Sequence, residues 1–176
     1  GDGSKNFYGG PLQGEEVDMR QWAGIVEYEP TELVITVKPG TALAEVEAAL
    51  AAEKQELAFE PPRLGDNGTI GGAIVSGLAG PARLSKGGVK DYVLGCTLLD
   101  GKGQLLHFGG VVMKNVAGYD VARVIPGSMG TLGIATELSI KVMPVAPAEA
   151  TLQFDMDVNK AIAQSNEWLS KPLPIS

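Results

Sequence analysis

Residues 61–80 read PPRLGDNGTIGGAIVSGLAG, and the two halves of this stretch ask opposite things of the backbone. Over residues 61–68 the prolines fix φ, while Gly65, Asn67 and Gly68 tolerate the left-handed conformations that a tight, open loop requires. Residues 69–79 are small and apolar, which predicts a short helix packed closely against something flat. A loop of free amides running into a helix N-terminus attracts anions, because the amides and the helix dipole point the same way. Gly71 and Gly72 carry no Cβ, so a ligand or another backbone can come within contact distance. Taken alone, the same residues also describe a tight turn followed by a buried helix.

A second stretch, KNVAGYDVARVIPGSMGTLGIAT at residues 114–136, separates these readings. With GTIGGAIVSGLAG it resembles the FAD-binding half-sites of the vanillyl-alcohol oxidase type of flavoprotein, the para-cresol methylhydroxylase (PCMH) fold. Over essentially all of residues 1–176, including VMKNVAGYD and the closing PLPIS, the chain is similar to the FAD-binding subunits of bacterial glycolate oxidases. The fold implied is α+β, a mixed, largely antiparallel sheet flanked by helices. The resemblance further implies one FAD-binding domain over residues 1–176, truncated at both ends, without the first βαβ unit and the C-terminal substrate cap.

FAD, held non-covalently, is the implied cofactor, and its pyrophosphate, flat rings and ribityl chain suit backbone amides and small residues. By resemblance, Gly1, Gly3, Ser4 and Lys5, together with Pro62 and the run Gly68, Thr69, Ile70, Gly71 and Gly72, cradle the pyrophosphate and ribityl region. Ser76, Gly77 and Ala79 contact the nucleotide, and Gly130, Leu132, Gly133 and Ile134 lie along the cofactor. With the first unit absent, weak FAD binding or none, and loose ordering of residues 1–10, are expected. Met129 stands where many relatives have an acidic residue. Their catalytic groups come largely from the cap, so no catalytic residue is assigned; Tyr119 is expected to pack on the sheet and Asp120 to cap the turn after it.

Composition bounds the alternatives. A chain of 176 residues with 44% apolar content and mean hydropathy +0.09 suits one soluble globular domain with a sizeable core. Its net charge of −7 argues against a nucleic-acid partner. The basic residues Arg83, Lys86 and Lys90 fit a solvated loop or a region that attracts an anion. No run of apolar residues suits a membrane span and no secretory leader is expected. The single Cys96 lies in the apolar run VLGCTLLDG, fits a reducing compartment and reads as a core residue. No metal site is expected.

In chain order, residues 24–29 and 33–38 read as strands around the turn EPTE. Residues 41–54 read as an amphipathic helix capped by Thr41. Residues 92–99 and 104–108 flank a hairpin turn at Asp100 and Gly101, with His107 solvent-facing on the second strand. A short helix at 120–124, a strand at 132–142 with one buried and one wet face, a strand at 151–156 and a last helix after Asp157 complete the reading. In that helix Val158, Ala161, Ile162, Ser165 and Leu169 line one side.

The resemblance implies a flavin subunit of a 2-hydroxy acid oxidase, cytoplasmic and touching the membrane only through partners. Those partners are a larger flavin subunit and an iron-sulfur subunit, through which electrons pass onward, and the fragment by itself is inactive. Two other readings stay open: a cofactor-free assembly domain of such a complex, and a flavin reductase of another branch of the fold.

Overall fold

The computed structural model describes residues 3–11, 13–111, 119–173 and 175. Its strands and α-helices are, in order, β1 (Ile25–Glu29), β2 (Val34–Val37), α1 (Leu43–Ala52), β3 (Gln55–Glu56), α2 (Ile70–Ser76), α3 (Arg83–Lys86), β4 (Val93–Leu99), β5 (Leu105–Gly109), β6 (Ile134–Lys141), β7 (Met143–Pro144) and α4 (Val158–Leu169). A five-stranded sheet has the order β1-β2-β6-β4-β5, and β3 pairs with β7 in a separate ribbon. Among the described residues every pairing is antiparallel, so the sheet has no parallel component.

The two hairpins follow from their turns. Between β1 and β2, Pro30 opens a single 3-10 turn and Leu33, at φ 57°, closes it in the left-handed region. Between β4 and β5, the Asp100 carboxylate accepts from the amides of Lys102 and Gln104, both at 2.8 Å, and Gly103 takes φ +77°. β6 then enters between β2 and β4, far from both in sequence.

Register decides what is buried. Ile35 lies opposite Ile140, Val37 opposite Leu138, and Leu138 opposite Cys96. These side chains form one core with Leu43, Val46 and Leu50 of α1, Ile70 and Ile74 of α2, and Phe59. Burying each such side chain contributes about 1.5–3 kcal/mol. On the other face Thr36 lies opposite Ser139, and their hydroxyls meet at 3.0 Å in a buried pair. The wet face expected of β6 is therefore closed at Ser139, while Glu137 and Lys141 remain partly open.

Two expectations are corrected. Thr41 does not cap α1: the helix begins at Leu43 with Ala42 before it, and the Thr41 hydroxyl is spent in the preceding turn on Gly24 and Lys38. Residues 151–156 form no strand, because they pair with neither sheet edge and instead leave Leu152 76% exposed while Phe154 packs on Trp168 at 5.1 Å. Asp157 does cap α4, accepting from the Lys160 amide at 3.1 Å. The side expected to be apolar is not covered: Val158, Ile162 and Leu169 are exposed, and Ala161, Gln164 and Trp168 are the half-buried positions. The short helix at 120–124 is a 3-10 turn, Val121–Val124. The motif residues 112–118 lie outside the described residues, as do Gly1, Asp2, Leu12, Pro174 and Ser176.

Candidate functional site

The loop of residues 61–69 and helix α2 are docked on the turn that follows β2. Gly68 O accepts from Leu43 N at 2.8 Å, and Ala42 and Thr69 form an isolated antiparallel bridge. The Thr69 hydroxyl caps α2 by accepting from the Gly72 amide at 3.2 Å. Ile70 N donates to Thr41 O at 2.9 Å and Gly71 N donates to Pro39 O at 2.8 Å. The amides that open α2 are thus already engaged, which corrects the expectation that they stand free for an anion. The free donors lie one step earlier: among the described residues the amides of residues 64–69 make no hydrogen bond.

The paired glycines do different work. A Cβ on Gly71 would lie 2.4 Å from Pro39 Cβ, so this glycine lets the helix sit against another backbone, not a ligand. A Cβ on Gly72 would meet only the Thr69 hydroxyl, at 3.2 Å, and one on Gly68 would meet nothing within 4 Å.

A small cleft, open to solvent, runs past this loop. Ser4, Lys5, Pro62, Gly68 and Thr69, all expected site residues, line it together with Gly65. Among the described residues Lys5 has no carboxylate partner, whereas Arg63 on the same wall is paired with Glu47. Gly3 lies just outside, its carbonyl accepting from Asn6 N at 3.0 Å as the short turn Asn6–Tyr8 begins. Ile70 and Gly71 are buried beneath the cleft. Arg63, Gly65, Asp66, Leu43 and Ala44 also line it and were not expected, although all but the last two fall inside the same proline- and glycine-rich stretch.

Ser76, Gly77, Ala79 and Gly130 gather at the far end of α2, about 10 Å away at 1.5 Å per residue. Gly77 takes φ +65° and closes the helix, with Gly127 N only 2.8 Å from where its Cβ would be. Met129 N donates to Val75 O at 2.9 Å, so the loop at residues 126–130 rests on this end. Ser76 turns its hydroxyl back onto Ala73 O at 2.9 Å, and Ala79 packs on the core. Gly130, at φ +78°, faces open space. Leu132 is exposed, while Gly133 and Ile134 turn away toward the end of β4: a Cβ on Gly133 would lie 2.6 Å from Leu99 O, and Ile134 pairs with Leu99. Helix α2 therefore joins two of the three expected groups end to end.

Other candidate groups have structural roles. The Tyr119 ring is exposed and does not pack on the sheet; the Asp120 side chain makes no cap and pairs with Arg123 at 2.8 Å. His107 is exposed on β5, its Nδ1 3.0 Å from the Thr97 hydroxyl. Burial pushes the Cys96 thiol up to about 11, so it stays protonated at neutral pH. In the folded protein Cys96 is expected to react with iodoacetamide at about pH 8 roughly a hundredfold more slowly than a free thiol, and at the ordinary rate in denaturant. Equal rates in both states would contradict its place in the core. Among the described residues no group of three His, Cys, Asp or Glu side chains is arranged to hold a metal ion, and no helix is long and apolar enough to cross a membrane.

An antiparallel sheet with a core of helices on one face, and a glycine-rich loop offering unpaired amides beside a lysine, is an arrangement chemically suited to a phosphate-bearing ligand. The family model described as FAD binding domain matches residues 1–109, and the chain belongs to that family, whose cofactor is FAD.

Over all 176 residues the chain is 48% identical to glycolate oxidase subunit GlcE of Escherichia coli (strain K12), covering 50% of that protein. It is 36% identical over 129 residues to glycolate oxidase subunit GlcD of Bacillus subtilis (strain 168), across 73% of this chain and 27% of that one. A solved structure of alkyldihydroxyacetonephosphate synthase superposes with TM-score 0.60 at 26% identity, covering 74% of this chain and 23% of its own. The chain thus spans half the length, or less, of these relatives.

The residues present fit the anionic middle of FAD. Gly68 leaves the cleft open where a side chain would intrude, the amides of residues 64–69 are unspent, and Lys5 supplies a positive charge.

Proposed function

We propose that this chain is the FAD-binding part of a subunit of a glycolate, or 2-hydroxy acid, oxidase. The observation that carries the reading is the cleft in which unpaired loop amides meet Lys5 beside Gly68, in a chain 48% identical throughout to a glycolate oxidase subunit. When bound, FAD supplies the acceptor for the two electrons that a 2-hydroxy acid loses on becoming a 2-oxo acid. The residues of this chain hold and orient that group. Ser4, Lys5, Pro62, Gly68 and Thr69 take the pyrophosphate end, with Ile70 and Gly71 supporting the loop from below. Gly72, Ser76, Gly77 and Ala79 set the distance to Gly130, and Leu132, Gly133 and Ile134 lead away from the cofactor into the sheet. Gly1 and Gly3 complete the N-terminal loop. A larger flavin subunit and an iron-sulfur subunit are the proposed partners, and the single FAD-binding domain is proposed to span residues 1–176.

A second reading, a cofactor-free assembly domain, draws on the apolar residues left exposed from 152 to 169. Titration with FAD, followed by flavin fluorescence, separates the two. Saturable quenching at one FAD per chain is expected, and Lys5→Ala is expected to weaken it about fivefold, the loss of one charge-assisted contact. A colourless chain that leaves flavin fluorescence unchanged at every FAD concentration would sink the reading that this chain by itself holds FAD, in favour of the assembly domain, and leave the family assignment standing. A purified complex that kept full flavin content and glycolate turnover without this subunit would sink its role in the oxidase.

A further inference from the structure

We infer that Thr41 is the positioning residue of the cofactor loop, fixing where the unpaired amides of residues 64–69 stand. The inference rests on the flavin reading of that loop. Thr41 is a polar side chain at 0% exposure, and its bonds account for that burial. Its hydroxyl donates to Lys38 O at 2.6 Å, with Gly24 O an alternative acceptor at 3.1 Å, and accepts from Gly24 N at 2.8 Å. Its own amide donates to Lys38 O at 3.1 Å, and its carbonyl accepts from Ile70 N at 2.9 Å.

One residue therefore ties three pieces together: the chain entering β1, the chain leaving β2, and the first residue of α2. The last of these bonds runs through the backbone and survives any side-chain change. What the hydroxyl adds is direction. By anchoring the turn to Gly24 and Lys38 it fixes the Thr41 carbonyl, which holds Ile70, and Ile70 follows directly on the loop amides. Together with Leu43 N donating to Gly68 O at 2.8 Å, this same bond from Ile70 N makes up the bridge between Ala42 and Thr69 that closes the loop. Thr41 touches no part of the cleft itself, so its effect on a ligand passes through Ile70 and Thr69.

Thr41→Val keeps the shape, removes the hydroxyl and strands the Gly24 amide. Amide exchange measured residue by residue in the FAD-free protein is expected to speed up at Gly24, Ile70 and Gly71 by about tenfold or more, while amides of β6 keep their rates. The FAD dissociation constant is expected to rise by about tenfold, and Thr41→Ser to bring both quantities back to within about threefold of wild type. A purely structural role would accelerate exchange in β6 equally, and that result overturns the inference. So does a Thr41→Val protein that binds FAD as tightly as a binding wild type. A wild-type chain that ignores FAD overturns the flavin reading and this inference with it. If Thr41→Val does not fold, exchange in the wild type decides: FAD is expected to slow Gly24 along with the loop, and protection of the loop without Gly24 overturns the coupling.

Discussion

Gly71→Ala is expected to lower the melting temperature by roughly 2–8 °C and to weaken FAD binding at least about tenfold. Two effects of opposite sign meet at this position. Alanine is the better helix former, by about 1 kcal/mol. Against that, its Cβ would lie 2.4 Å from Pro39 Cβ, 2.6 Å from Pro39 O and 2.9 Å from Pro39 Cα. A proline ring and its backbone have no rotamer in which to escape, so the start of α2 must lift off. Overpacking of this kind costs about 1–3 kcal/mol or more, and it also breaks the Gly71 N to Pro39 O bond beneath the cleft. Gly72→Ala supplies the contrast, since its Cβ meets only the Thr69 hydroxyl at 3.2 Å. That neighbour is expected to melt within about 2 °C of wild type. Thermal melts of both proteins check the pair, and a Gly71→Ala protein as stable as Gly72→Ala would refute the docking of α2 on Pro39.

Phe59→Ala is expected to cost about 3–5 kcal/mol, measured as the loss of unfolding free energy in urea. Phe59 is fully buried in the core, and its ring lies 5.8 Å from that of Tyr92. Tyr92 in turn donates its hydroxyl to Lys86 O at 2.6 Å, and Phe59 O accepts from Gly80 N at 3.0 Å. The truncation removes a large apolar surface and leaves a cavity that this braced backbone cannot close. For a protein with about 5–15 kcal/mol in total, that loss is a large fraction. A cost under about 1 kcal/mol would mean that the segment collapses freely onto the hole.

Much of this architecture was readable from local chemistry. Asp100, Gly101 and Gly103 specify a hairpin, Asp157 a helix start, and the alternation of Leu138, Ile140 and Val142 a half-buried strand, because each signal is short-range. What the sequence concealed depends on distant partners. Nothing near Ser139 announces that Thr36 will face it across the sheet. Residues 151–156 alternate like a strand, yet pairing needs a free edge within reach and they have none that they use. Thr41 looks like a cap by position, and only the fold reveals that Gly24 is close enough to compete for its hydroxyl. The candidate site divides in the same way. The loop of residues 61–69 was recognisable from its prolines and glycines, whereas the diversion of the α2 amides to Thr41 and Pro39 required knowing what lies behind them.

The strand order has a consequence for how the chain acquires this shape during synthesis. β1 and β2 emerge first as one hairpin and β4 with β5 as another, but they share no edge until β6, at Ile134–Lys141, slides between them. The region matched by the family model ends at residue 109, before that strand exists. Up to then Ile35, Val37 and Cys96 have no Leu138 or Ile140 to face, and each hairpin offers an unpaired edge to solvent. Closure of the sheet is a late event that joins residues about a hundred positions apart, a slow class of step in which loop entropy is spent before contacts form. The nascent protein therefore passes through a sticky interval in which two ribbons await their shared centre, and a chaperone acting on it would have most to protect between the exit of β5 and the exit of β6.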